Sequence, residues 1–148
     1  YIHSRGLVHG DIKPTNIFFV GGVAKLGDFS SLVKLMSQTS SHSRLAFTPG
    51  WRAPEQVYSD LRSRAVERGL ENRIDVYQLG NLILYLLLGE TIDGEDAAKK
   101  DHVKQVVEKI QHPKLRELVS YMLSLNPEER PSMDEVLKKL AEIYQELK

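Results

Sequence analysis

His9-Gly10-Asp11-Ile12-Lys13-Pro14-Thr15-Asn16 sets an acid, a cation and an amide within six positions of one another. The order Asp-x-Lys-x-x-Asn suits phosphoryl transfer. The acid can orient a hydroxyl and accept its proton, the Lys can balance charge on a moving phosphate, and the Asn offers an oxygen to Mg²⁺. The same residue types are ordinary loop formers, and Pro14-Thr15-Asn16 is good turn chemistry. The octet therefore needs its neighbours.

Ile17-Phe18-Phe19-Val20 and Val23-Ala24-Lys25-Leu26 flank Gly21-Gly22. Two β-prone runs around a Gly-Gly pair predict a hairpin with a two-residue turn. In that register Val20 faces Val23, Ile17 faces Leu26 and Asn16 faces Gly27, with Asp28 one residue beyond. An amide and a carboxylate twelve positions apart then meet at the open end of one hairpin, and both are oxygen donors suited to Mg²⁺.

With these residues in place, the chain resembles the C-terminal lobe of a eukaryotic-type Ser/Thr protein kinase. Residues 9–16 are similar to the catalytic loop. Asp28-Phe29-Ser30 is similar to the metal-binding Asp-Phe-Gly triplet, and Thr48-Pro49-Gly50-Trp51-Arg52-Ala53-Pro54-Glu55 to the end of an activation segment spanning 28–55. The resemblance covers essentially all of residues 1–148. It implies an α+β fold, mostly helical, with a small β-hairpin at the catalytic cleft and the N-lobe absent. Tyr1-Ile2-His3-Ser4-Arg5-Gly6 reads as the last turn of a helix ending at Gly6. The Gly-rich loop, strand Lys and paired Glu of the family find no counterpart in the chain, so it is expected to carry half of an active site and to be inactive alone.

The resemblance also implies roles. Asp11 and Lys13 are catalytic. Asn16 and Asp28 bind the metal, and Lys13 and Phe18 join them around the nucleotide, Phe18 under the adenine ring. The expected cofactors are ATP and Mg²⁺, with Mn²⁺ as an alternative ion. His9 is structural, bonding backbone and packing on Phe29. Thr48 bridges Asp11 and Lys13, a Ser/Thr-kinase arrangement. Glu55 pairs with Arg130 to hold the substrate platform, and Asp75 accepts hydrogen bonds from the catalytic-loop backbone. Three positions depart from the family, Phe18 standing where a smaller aliphatic residue is frequent. Gly10 replaces an Arg that commonly binds an activation-loop phosphate, and Ser30 replaces a Gly.

Composition narrows the partners. Twenty basic and twenty acidic residues among 148 cancel, which gives no nucleic-acid or membrane surface. Cysteine is absent, which removes disulfides and Cys-based metal sites and fits a reducing, cytoplasmic setting. Leu79 to Leu88 is too short to span a bilayer. Ser31 to Phe47 is rich in hydroxyls (Ser37, Thr39, Ser40, Ser41 and Ser43) and reads as a mobile linker or a phosphorylated loop facing Arg44 or Arg52.

Further along, an exposed helical excursion is expected around Ser59 to Glu71. A central helix follows over 74–88, whose stretch Leu82 to Leu88 is apolar all round and so predicts burial on every side. Three helices over 101–148 complete the lobe. Asp101 caps the first, which carries Val103, Val106, Val107 and Ile110. Pro113 opens the second, which carries Leu115, Leu118, Val119, Met122 and Leu123. A Ser132–Glu135 capping box opens the third, with Val136, Leu137, Leu140, Ile143, Tyr144 and Leu147 as its core stripe. Exposed apolar surface where a preceding helix would pack predicts self-association.

The favoured function is transfer of the ATP γ-phosphate to Ser or Thr of a protein substrate. Two rivals stay open. Small-molecule phosphotransferases of the aminoglycoside and choline kinase type often read His-Gly-Asp, as here. A pseudokinase or scaffold lobe would bind partners without chemistry.

Overall fold

The computed structural model describes residues 1–29, 48–148 and the backbone of 33–34. Ser30 and the hydroxyl residues 37–43, with Arg44, lie outside the described residues. A single turn of 3₁₀ helix, His3–Arg5, ends at Gly6, whose φ of 67° makes it a left-handed cap. Strand β1, Leu7–Val8, pairs antiparallel with β4, Val33–Lys34. The second partner falls inside the stretch read from sequence as a linker.

Between them, β2 (Ile17–Val20) and β3 (Val23–Leu26) form the expected hairpin. Val20 faces Val23 and Ile17 faces Leu26. Gly21 and Gly22 both have positive φ, 58° and 80°, as a turn matched to the strand twist requires.

The remaining elements are helices: α1 (Pro54–Val57), α2 (Ser59–Glu67), α3 (Arg73–Leu88), α4 (Lys100–Val107), α5 (Pro113–Met122) and α6 (Met133–Leu147). Helix α3 is the axis. Ile74, Tyr77 and Leu84 pack with Val106, Val107, Ile110, Val119 and Leu123. On another side Val76 meets Leu118, Met122, Val136 and Ile143. Gly80 lets α5 close in, since a Cβ there would sit 3.0 Å from Met122 Cβ.

Four expectations are corrected. Burial of α3 stops at Leu84. Tyr85, Leu86 and Leu87 are exposed, Leu86 at 72%, while Leu88 in the same turn packs partly buried against the core, so the last turn covers the core on one face only. Of the α6 stripe, Val136 and Ile143 are buried, whereas Leu137, Tyr144 and Leu147 are exposed. Apolar character was spread over more than the one face that α3 and α5 cover. Asp101 lies within the first turn of α4, and the capping position is Lys99. Helix α2 is docked rather than a free excursion: Leu61 and Ala65 are buried, and Arg62 Nε donates to the Glu55 carbonyl at 2.9 Å. Among the described residues no helix is long and apolar enough to cross a membrane.

Candidate functional site

The loop 9–16 is fixed from below by one carboxylate. Asp75, in the first turn of α3 and fully buried, accepts from His9 N–H at 2.9 Å and Gly10 N–H at 2.8 Å. His3 Nε2 lies 2.6 Å from the same side chain. Removing this acceptor would strand two buried N–H groups, at about 1–3 kcal/mol each. From Lys13 the chain enters a 3₁₀ turn, Pro14–Asn16, which hands directly into β2. Short-range turn chemistry thus delivers Asn16 to the hairpin's open end, where its carbonyl accepts from Gly27 N–H at 2.8 Å.

Asp11 is buried and multiply held. Its Oδ1 accepts from the Thr48 hydroxyl at 2.9 Å. Lys13 Nζ lies 3.4 Å from Oδ2 and donates to Thr48 Oγ1 at 2.8 Å. Thr48 therefore stands between acid and cation, accepting from one and donating to the other. Asn16 Nδ2 donates to the Asp11 carbonyl at 2.8 Å and approaches Oδ2 at 3.3 Å. With its amide protons committed there, the Asn16 Oδ1 is the atom left to face a cation.

His9 braces the chain just after the hairpin, at Gly27 and Phe29. Asp11 N–H donates to His9 Nδ1 at 3.2 Å, so the ring proton sits on Nε2, 2.9 Å from the Gly27 carbonyl. The Phe29 ring meets the imidazole edge-on, centroids 5.7 Å apart. Asp28, between Gly27 and Phe29, has φ 52°, the one non-glycine positive φ among the described residues. Such backbone strain is characteristic of functional positions. Phe18 is not a core aromatic. It is half exposed, and its ring lies where a Cβ on Gly27 would be, 2.5 Å from Cε2.

The segment after Thr48 is anchored twice. Glu55 and Arg130, both buried, form a bidentate pair with both contacts at 2.7 Å. Arg130 spends its other donors on the carbonyls of Ser124, Arg73 and Leu125, so all five N–H groups are used. The second anchor, Asp93, was not found from sequence. Its Oδ1 accepts from Gly50 N–H at 2.7 Å, and Oδ2 from Arg52 Nη2 at 2.8 Å. Burial alone would raise the Asp93 carboxyl, but the Arg52 guanidinium and the N–H groups of Glu95, Gly50 and Arg52 outweigh it and hold it below its usual range. Gln56 and Gln78 were also missed. Nothing local marks an Asp in a loop or a Gln on a helix as a tertiary anchor.

Among the described residues no group of three or more His, Cys, Asp or Glu could hold a metal on its own. By residue type, Asn16 and Asp28, which flank the hairpin's open end, bring together an amide and a carboxylate. That donor set fits Mg²⁺ shared between protein and phosphate, because Mg²⁺ commonly keeps only one or two protein ligands beside a nucleotide.

A protein-family model described as the protein kinase domain matches residues 1–140. The chain is 35% identical over 145 residues to the interferon-induced, double-stranded RNA-activated protein kinase of Rattus norvegicus, covering 96% of this chain and 27% of that protein. It is 32% identical over 148 residues to serine/threonine-protein kinase/endoribonuclease IRE1a of Arabidopsis thaliana, with 93% and 17% covered. Against the probable serine/threonine-protein kinase nek3 of Dictyostelium discoideum the figures are 32% over 149 residues, 93% and 13%. The chain spans about a quarter or less of these relatives' lengths. It belongs to the protein kinase domain family.

Proposed function

We propose that these residues form the C-lobe of a domain that transfers the γ-phosphate of ATP to Ser or Thr hydroxyls of a protein substrate. The observation that carries the proposal is the Thr48 hydroxyl seated between Asp11 and Lys13 at 2.9 and 2.8 Å. It joins the segment that would carry a peptide to the two groups that would act on it. Small-molecule phosphotransfer needs no such platform, and the Glu55–Arg130 pair under it favours a protein substrate further.

ATP bound with Mg²⁺ supplies the transferable phosphoryl group. Asn16 Oδ1 and the Asp28 carboxylate would hold the ion. Asp11 accepts a hydrogen bond from the incoming hydroxyl, orients its oxygen toward phosphorus, and takes the proton late as the new O–P bond forms and the bond from the γ-phosphorus to the bridging oxygen breaks, releasing ADP. Lys13 has ammonium donors beyond the one given to Thr48, and these stabilise charge on the group in transit. Positioning and electrostatics supply the catalysis, without a covalent enzyme intermediate. The 148-residue chain alone, which carries no Gly-rich phosphate loop, is expected to turn over poorly.

The test is a phosphate-transfer assay on the intact parent, with a protein, an amino alcohol and an aminoglycoside offered separately. Ser/Thr phosphorylation of the protein, reduced roughly 10²–10⁴-fold in Asp11→Asn, is the expected result. Transfer to the small molecules alone would establish the first rival, and ATP binding without transfer the second.

A further inference from the structure

Beneath Asp11 lie two buried amides that the mechanism above does not use. Gln56, on α1, and Gln78, on α3, are each less than 5% exposed. Gln78 Oε1 accepts from Ile12 N–H at 2.9 Å. Gln78 Nε2 donates to the Gly10 carbonyl at 2.9 Å and to Gln56 Oε1 at 3.1 Å. Gln56 Oε1 also accepts from Ala53 N–H at 2.8 Å, and Gln56 Nε2 donates to the same Gly10 carbonyl at 2.9 Å. Backbone N–H groups can only donate and a carbonyl can only accept, so neither amide can be turned over without opposing like groups.

Gly10 and Ile12 are the residues on either side of Asp11. Gln78 therefore grips the carbonyl before the acid and the N–H after it. Gln56 ties that grip to Ala53, on the segment whose Thr48 holds the Asp11 side chain. The Gly10 carbonyl takes both donors, and the turn presenting it passes through φ 80°, which glycine adopts without strain. A pair of apolar side chains would fill the same space without the cost of burying amides. What they could not do is fix the two peptide groups around Asp11.

We propose that Gln56 and Gln78 form an amide clamp that positions Asp11 and couples its loop to the substrate platform. The clamp deepens the phosphotransfer reading and rests on it. Both glutamines are positioning residues: they act through the backbone of residues 10, 12 and 53.

The intact parent is assayed as wild type, Gln78→Leu, Gln56→Leu and the double variant, with Tyr77→Phe as control. The Tyr77 hydroxyl, one position earlier on α3, donates to the Ile92 carbonyl at 2.7 Å, away from the loop. Gln78→Leu should lower kcat roughly 10–100-fold and leave the KM for ATP unchanged. The double variant should fall little below the worse single, since both break one network. Tyr77→Phe should lower the thermal midpoint and spare kcat. An unchanged kcat in folded Gln78→Leu, or single effects that multiply in full, would overturn the clamp.

Should Gln78→Leu not fold, amide hydrogen exchange at Ile12 decides the matter in Gln56→Leu. Exchange there should quicken although Gln56 does not touch that N–H, and unchanged exchange overturns the coupling. This readout needs no activity. A parent that phosphorylates no protein therefore fails the function, while exchange still judges the clamp.

Discussion

Thr48 is the smallest group on which the assignment turns. Replacing it with Ala removes a hydroxyl that bonds two charged partners, and such bonds are worth about 1.5–3 kcal/mol each. Thr48→Ala is expected to lower kcat about 10–100-fold, whereas Thr48→Ser keeps the hydroxyl and most of the rate. Equal loss in both would show that the methyl group matters instead. Asp93 gives a pH prediction. Its carboxyl is held low in the fold, so its contribution is complete above the unfolded value of about 3.9 and is lost as pH falls through the folded one. Urea midpoints between pH 7 and 2 should therefore fall less steeply below about pH 4 in Asp93→Asn than in wild type. Asp11, Lys13 and Asn16 were named from their spacing in one loop and Asp28 from the hairpin register, whereas Thr48 came from the family resemblance; the structure brings Lys13, Asn16 and Thr48 to Asp11. Gln56, Gln78 and Asp93 were not legible in sequence, because the contacts that make them tertiary anchors reach 22 to 68 positions along the chain.

The elements are joined by buried polar contacts as much as by apolar ones. Glu55 on α1 and Arg130 after the 3₁₀ turn Pro127–Glu129 stand 75 positions apart and yet bond face to face. Breaking the pair from one side leaves the other charge buried alone. Glu55→Gln or Arg130→Met should each cost about 3–5 kcal/mol in denaturant unfolding, and the double variant less than their sum. Additive losses would show that the two do not interact. Gly94 marks another close approach. A Cβ there would meet the Ala53 carbonyl carbon and oxygen at 2.7 Å, and these backbone atoms cannot swing aside. Gly94→Ala is expected to cost about 1–3 kcal/mol, with a lower thermal midpoint as the measure. The starts of α5 and α6, at Pro113 and after Ser132, followed from period and caps. Which face each helix buries did not, as Leu137 and Leu86 show.

Among the described residues apolar side chains are exposed at several places, Leu137, Tyr144 and Leu147 of α6 included, and two of these places bear on association. One is the hairpin, with Phe19 at 76% exposure and Val20 and Val23 beside it. The other is the last turn of α3, at Leu86 and Leu87. Contiguous patches of this kind favour association. We expect the 148-residue chain on its own to self-associate in sedimentation experiments, and Phe19→Lys with Leu86→Glu to shift it toward monomer. A wild-type monomer up to about 0.1 mM would count against this. Formal neutrality, twenty charges of each sign, leaves little electrostatic repulsion to oppose contact between copies.

The sequence by itself determined the hairpin register, the order of the site residues, the left-handed cap at Gly6 and the Ser132–Glu135 capping box. Each of these depends on interactions within a few residues or on one tight turn, and such interactions are written in local spacing. Only the tertiary structure decided the amide clamp beneath Asp11, the Asp93 anchor, the pairing of β1 with β4, and the exposed end of α3. Those depend on which surfaces meet after long stretches of chain have closed, and burial is a property of the neighbours rather than of the residue buried.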